Sequence, residues 1–441
     1  MLSYASRALR RLRAPTTRED RNIRWLLLLT GLVGVVTGGI VTYVPIFLAR
    51  LGASGVTISL LTSLPALVTI LLALPAGAIA SRWRRIVPVS ARWFYALRFC
   101  YLAVALVAML DPKVVPGLTV AIWALSAIPS TMANAVWYDV LAEAVSPRRR
   151  PMVNGVRWAL TGLVSAISVA VFGQLLQALP SPLNYQIVFF ISFLFGMANI
   201  WCYAQIEVPE REVPPPAETS LPLRTRWLQL WQPLTAGGGF LTFSLVTFFM
   251  RVGIYLPMGL WSLFWVRNMQ ASDAWIGWRA TVENMATMVG YYCYGRIASR
   301  WHYSWVLTLA TLSLSVCVSI AGLATAQTRW ILFFCAFLGG FSGPGIDVSL
   351  FEWLLAVMPP DERPRYVAVN TVLVNGVAFL APMAGAALAQ RIGIPPVLFI
   401  EALCMLTCAV LSYRYGGVPS KRRKPAASLG PANNRDAPAL Q

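Results

Sequence analysis

Long apolar runs separated by short polar ones set the pattern of this chain. They fall at about 23–50, 56–80, 86–110, 117–141, 152–179, 184–206, 233–266, 273–299, 304–326, 330–358, 365–390 and 394–415. A helix needs ~20 apolar residues to cross a bilayer, so each run is long enough for one crossing. The runs are too continuous for the ~10-residue alternating strands of a membrane barrel. Twelve transmembrane helices are expected. The first run follows seven arginines between Arg7 and Arg24. It exceeds the ~7–15-residue apolar core of a cleaved signal and is expected to remain as a span.

Composition narrows the class. Of 441 residues, 57% are hydrophobic and only 12% charged, against roughly 25% charged in soluble domains. This excludes an ordinary soluble enzyme. The net charge of +19 comes from 36 basic and 17 acidic residues. The cations sit between apolar runs and at the tails, so no basic face is left for nucleic acid. One set of loops and linkers carries Arg82, Arg84, Arg85, Arg148, Arg149, Arg150, Arg211, Arg224, Arg226, Arg296, Arg300, Arg363 and Arg365. The alternate set carries Arg50, Lys113, Arg267, Arg329 and Arg391. The richer set is expected in the cytoplasm, together with both termini, in a multi-pass protein of the plasma (inner) membrane.

The chain divides into a basic cytoplasmic segment (1–22), a six-helix bundle (23–206), a cytoplasmic linker (207–232), a second six-helix bundle (233–415) and a disordered basic tail (416–441). The linker contains Pro214-Pro215-Pro216. Trp227, Leu228, Leu230 and Trp231 beside Arg224 and Arg226 fit either a short surface helix or a flexible connection.

The two bundles echo each other. Gly77-Ala78-Ile79-Ala80-Ser81-Arg82-Trp83 ends the second span and Gly295-Arg296-Ile297-Ala298-Ser299-Arg300-Trp301 ends the eighth, at a spacing of 218 residues. Pro147-Arg148-Arg149-Arg150-Pro151 answers Pro360-Asp361-Glu362-Arg363-Pro364 at a spacing of 213. With that spacing Asp139 maps onto Glu352 and Asn134 onto Asp347. Parallel repeats of this kind build transporters whose halves are related by an axis along the membrane normal.

At these residues the chain resembles the major facilitator superfamily. That family carries G-x-x-x-D-R/K-x-G-R/K-R/K between spans two and three, with a weaker copy between eight and nine. Gly77, Arg82 and Arg85 match, while Ser81 and Arg84 stand where the family has Asp and Gly. Gly295 and Arg300 form the copy, with Ser299 again at the Asp position. Glu143, Pro147 and Arg150 resemble the E-x-x-x-P-x-x-R pattern at the end of span four. The resemblance covers roughly 23–415 and implies an all-α polytopic membrane protein. Two pseudo-symmetric six-helix bundles would surround a central cavity lined by spans one, four, seven and ten. The span-five Gly-Pro stretch of the family's drug/proton antiporters is absent from residues 155–175, which weighs against multidrug efflux.

A charge at the bilayer centre costs at least ~2.5–3.5 kcal/mol and needs a polar partner or water. Arg251 in span seven, Glu283 in span eight and Asp347 in span ten are such charges. They form either a substrate- and proton-binding cluster or a static ion pair joining the three spans, with Glu283 expected to reach Arg251. Arg251 would suit an anionic substrate. Arg279 is expected to be an interfacial snorkeler, and Arg92, Arg98 and Glu401 are expected to be peripheral. Asp139, Glu143, Arg82, Arg85 and Arg150, with Glu352, Asp361, Arg300 and Arg363 in the second half, fit either a cytoplasmic latch or headgroup-level pairs. Gly31, Gly34, Gly38 and Gly39 suit close helix packing. Trp261, Trp265, Trp275 and Trp278 suit an interfacial belt.

Seven cysteines lie in apolar runs without a C-x-x-C pair, and His302 is the single histidine. No phosphate-binding G-x-x-x-x-G-K-[ST] loop occurs. No metal, cofactor or enzymatic activity is expected. The expected function is secondary active transport of a small molecule by alternating access, proton-driven, by a chain working as a monomer in the lipid bilayer. A lipid or amphiphile exporter or flippase is the alternative, and a membrane-embedded transferase or a non-transporting receptor the third reading.

Overall fold

The computed structural model describes residues 17–212, 231–235, 238–297, 300–359 and 362–416. Twelve long helices run through them, without a strand among the described residues. The first half holds α1 (Arg18–Arg50), α2 (Gly55–Ala80), α3 (Ile86–Val107), α4 (Val115–Ala144), α5 (Arg150–Ala178) and α6 (Leu183–Ala204). The second holds α7 (Gly239–Asn268), α8 (Asp273–Ile297), α9 (Tyr303–Leu323), α10 (Ile331–Val357), α11 (Arg363–Ile392) and α12 (Ile394–Tyr415). The expectations for residues 1–16, Pro214–Pro216, Arg224, Arg226, Trp227, Leu228, Leu230, Ser299, Asp361 and the tail from 417 fall outside the described residues.

Eleven of these helices are apolar enough to cross a membrane by composition alone. The remaining one, α8, carries Asp273, Arg279, Glu283 and Arg296 within 25 residues. It packs along α5 and α10, so its polar side chains meet protein and cavity instead of lipid.

Packing inside the first half is repeated in the second. α1 lies against α5 and α6, α3 against α4 and α6, and α2 against α4. Six helices later, α7 lies against α11 and α12, α9 against α10 and α12, and α8 against α10. The halves meet through α2 with α11 and through α5 with α8, two contacts that exchange under the same six-helix shift. The duplication read in the loops is therefore a duplication of the whole bundle.

Local breaks bend the helices that line the centre. In α1, Thr37–Val41 forms a π-turn at Gly39 (φ −97°, ψ −106°). The Ile40 N–H donates to Ser192 Oγ (3.1 Å), and a Cβ on Gly39 would lie 2.1 Å from that oxygen. The glycine is there because α6 comes so close. In α7, regular helix stops at Tyr255 and resumes at Leu260. Pro257 sits between them and lacks the N–H a continuous helix needs.

One end of the molecule is sealed and the other is open. At the arginine-poor end a single apolar cluster joins both halves, with Phe47 and Ile58 of the first packed in the same core as Leu260, Leu263 and Ile276 of the second. Arg50 pairs with Asp273 (2.9 Å), which also accepts from the Tyr185 hydroxyl (2.9 Å). The Arg267 guanidinium donates to the Ala53 carbonyl (2.8 Å). At the arginine-rich end the apolar core separates into two clusters, one around Ile86, Val140 and Tyr203 and one around Phe243, Leu307 and Trp353. The ion pairs there between described residues join groups of one half: Arg149 with Glu19 and Asp20, Arg85 with Glu210, Arg211 with Asp139, and Arg365 with Glu362.

The seal depends on close approach of α5 and α8 at Gly173 and Gly277. A Cβ on Gly277 would meet the Val169 carbonyl at 2.8 Å and Gly173 Cα at 3.3 Å. Gly277→Val is expected to weaken the sealed end by about 1–3 kcal/mol, the usual cost of overpacking. Spin labels at the exposed helix-end positions Gly77 and Gly295 should then report shorter distances as the open end narrows. Unchanged distances would mean that this crossing does not hold the conformation.

Candidate functional site

Arg251 lies in α7, buried at 5% exposure, and borders a pocket walled by second-half residues of α7, α10 and α11. Its guanidinium donates to Asn370 Oδ1 on α11 (2.6 Å) and stands 5.8 Å from the Phe243 ring centroid. Among the described residues it has no carboxylate partner. A buried cation satisfied by a neutral amide keeps most of its attraction for an incoming anion.

Asp347 on α10 is exposed and accepts from the Tyr291 hydroxyl on α8 (2.7 Å). Arg251, Asp347, Asn370 and Tyr255 line one cavity of about 310 Å³. The Gly/Pro-rich stretch before Asp347 stays helical, with Pro344 inside α10. Arg251 and Asp347 thus line one pocket, whose walls all belong to the second half.

Glu283 does not join them. It pairs with Arg279 one turn earlier on the same helix (2.8 Å), the geometry that i,i+4 spacing provides without any tertiary reach. Arg279 is correspondingly no snorkeler. Its side chain is 16% exposed and stacks over Trp265 at 4.3 Å, and Trp265 and Trp275 are buried instead of forming a belt. Trp278 remains exposed. Glu283 and Arg279 face a separate cavity of about 430 Å³, enclosed by α7, α8, α9, α10 and α12.

Arg251 borders a third space as well. A groove of about 640 Å³ runs between α7 and α11 beside Ile70 of α2. Its walls are Leu245, Phe248, Val372, Leu380 and similar side chains, and among the described residues Arg251 supplies its only formal charge. One guanidinium therefore stands where an apolar groove meets a polar pocket.

Arg157 on α5 is a cation the sequence reading passed over. It donates to Thr30 Oγ1 on α1 (3.1 Å) and lies 4.8 Å over the Trp137 ring. At the 213-residue spacing it corresponds to Asn370, the partner of Arg251. Each half thus joins its first and fifth helices by an arginine–polar contact, with the arginine on opposite members. Its place within an apolar run was signal enough.

The residues expected to form a latch stand apart at the open end. Asp139 pairs with Arg211 (2.9 Å) and Arg85 with Glu210 (2.6 Å), while Arg150 donates to the Val145 (2.8 Å) and Ala142 carbonyls at the end of α4. That last contact satisfies carbonyls that a helix terminus leaves without partners. Arg82, Glu143, Arg300, Glu352 and Arg363 are exposed, and a Cβ on Gly77 or Gly295 would meet nothing within 4 Å. Glu207, Glu210 and Arg211, which follow α6, were not anticipated. Glu207 pairs with Arg21 (3.1 Å), and the three together strap the start of the linker to the first half. Among the described residues no three His, Cys, Asp or Glu side chains gather as metal ligands.

Comparisons with known proteins agree with this architecture. The sequence model of the Major Facilitator Superfamily matches residues 26–258 and again 243–439. The "Multidrug resistance protein MdtG" of Citrobacter koseri is 29% identical over 168 residues, 37% of this chain and 39% of that protein. Its counterpart from Serratia proteamaculans is 28% identical over 167 residues, 36% and 38% of the two chains. The chain thus spans about two fifths of the length of these curated relatives. A bacterial homologue of the iron transporter ferroportin, solved in an inward-facing state, shares the fold at a TM-score of 0.65 and 14% identity, over 91% of this chain and 98% of that one. A bacterial homologue of the human lysosomal transporter Spinster does so at 0.62 and 14%, over 91% and 97%. With its repeated six-helix packing and two family matches that together run almost end to end, the chain belongs to the Major Facilitator Superfamily and is a multi-pass membrane protein.

Proposed function

We propose that this protein is a proton-driven transporter that carries an amphiphilic small molecule bearing an anionic group, working as a single chain with both termini in the cytoplasm. In this reading the arginine-rich end is the cytoplasmic one, so the conformation described is open inward. The observation that carries the substrate class is Arg251, 5% exposed, held by an amide, and shared by the apolar groove and the polar pocket. The groove would take the apolar body, Arg251 and Asn370 the anionic head through paired N–H donors. Cavities of 300–1,000 Å³ or so are the usual size for small-molecule sites.

Asp347 lines the same pocket. It is placed to exchange a proton with water as the substrate head arrives or leaves. The "multidrug resistance" name carried by the relatives fits a groove that selects by apolarity. Arg157, held by Thr30 in the first half, is in this reading a second cation for an anionic group.

Decyl phosphate is the probe for this reading, with decyltrimethylammonium as the contrast. In lipid nanodiscs, decyl phosphate at ~100-fold its Kd should stabilise the wild type by about 2.7 kcal/mol, and Arg251→Ala should lose that stabilisation. Stabilisation by the ammonium compound alone would overturn the anionic assignment. In proteoliposomes, decyl phosphate flux should respond to an imposed pH gradient, and Asp347→Asn should remove the response. Asn370→Ala should lower thermal stability by roughly 1.5–3 kcal/mol, because it leaves a buried charged donor without its acceptor. An unchanged melting temperature would show that water replaces the amide at no cost.

A further inference from the structure

α12 places Glu401 inside the second bundle. The residue is 4% exposed, and its Oε2 has no hydrogen-bond partner. It lines the cavity of about 430 Å³ that also holds the Arg279–Glu283 pair. This cavity is distinct from the one shared by Arg251 and Asp347.

The groups facing Glu401 are few. α8 supplies Arg279, whose charge is matched by Glu283 at 2.8 Å. α9 supplies Cys317, whose thiol donates to the Cys335 carbonyl on α10 (3.1 Å), and α10 adds the Cys335 thiol itself. α7 contributes only Ile254, Met258, Trp261 and Trp265 to this cavity, while Arg251 and Tyr255 line the other. On α12 the nearest titratable neighbour is Cys404. Among the described residues lining the cavity, no cation is left over to balance a carboxylate at Glu401. An unbalanced charge in such a place is far less favourable than a neutral carboxyl.

The cavity nevertheless has an outlet. The Glu283 side chain is 44% exposed, so the α8 end of the space opens to the outside of the bundle. We propose that Glu401 is a proton-binding site, filled in the conformation described here and emptied when the open end closes, with the Arg279–Glu283 end of its cavity as the route to solvent. On release the Glu401 O–H bond breaks, cavity water takes the proton, and the carboxylate stays behind. The proposal deepens the proton-driven reading and rests on it only for the link to transport.

Because protonation and the open conformation favour each other, linkage requires that each shift the other. Alkaline pH should therefore move the chain toward closure of the arginine-rich end. The test uses the full-length chain in lipid nanodiscs. Infrared spectra of the wild type at neutral pH should contain the C=O stretch of a neutral carboxyl, moved by exchange into deuterated water. Glu401→Gln should abolish that band, and Glu283→Gln and Asp347→Asn should keep it. Spin labels at Gly77 and Gly295 should approach one another as pH rises in the wild type and hold a fixed distance in Glu401→Gln. Glu401→Asp keeps a carboxyl and should keep both the band, displaced, and the pH response.

A band that survives Glu401→Gln, a wild type without one, or a pH response that persists in Glu401→Gln would each overturn the proposal. If decyl phosphate flux proves indifferent to the pH gradient while the band and the Glu401→Gln effects stand, the transport reading fails and the proton site remains.

Discussion

A shared apolar core at one end and divided cores at the other govern everything this molecule does. Where Phe47 and Ile58 interlock with Leu260 and Leu263, separating the halves would expose apolar side chains to water. The cost scales with area, at about 25 cal/mol per Å². The Arg50–Asp273 pair and the Tyr185 hydroxyl then fix which surfaces meet. Because the second core is split into two independent clusters, the opposite end can part without tearing either bundle. Opening and closing are thereby reduced to a contest between two seals.

Charge is distributed to suit that contest. The first bundle carries Arg157 against Thr30, and the second carries Arg251 against Asn370. Both cations sit beside aromatic rings and lack a carboxylate at contact distance among the described residues. In contrast, Arg279 is matched within its own helix by Glu283. Matched charges can stay buried through a cycle without changing partner, whereas an amide-held arginine retains capacity for a negatively charged visitor. The distinction separates a charge neutralised inside its own helix from charges held by neutral groups alone.

Much of this was legible in the residues. Twelve spans follow from bilayer thickness, which leaves few alternatives to a helix of fixed length. α8 was legible as the run 273–299, and Gly295 to Trp301 repeats Gly77 to Trp83 at its end. Arg251 and Asp347 were placed together by the positions of their spans. The rotational phase of each helix was not legible, since nearly all-apolar helices have no polar stripe to orient them. That is why Glu401 was assigned to the periphery although its face of α12 turns inward. Glu283 was sent across to α7 because side-chain direction decides between a local and a tertiary partner. The strap formed by Glu207, Glu210 and Arg211 escaped notice because nothing in a polar linker says what it lies on.

That strap changes the effective length of the tether between the bundles. Glu207 and Arg211 are tied by ion pairs to α1 and α4 and Glu210 to Arg85 at the start of α3, and Arg211 N–H also donates to the Arg84 carbonyl (3.0 Å). These residues move with the first bundle as one plate. Counted from Arg211, the covalent connection can span at most ~3.3–3.6 Å per residue, a length that limits how far the two bundles can part.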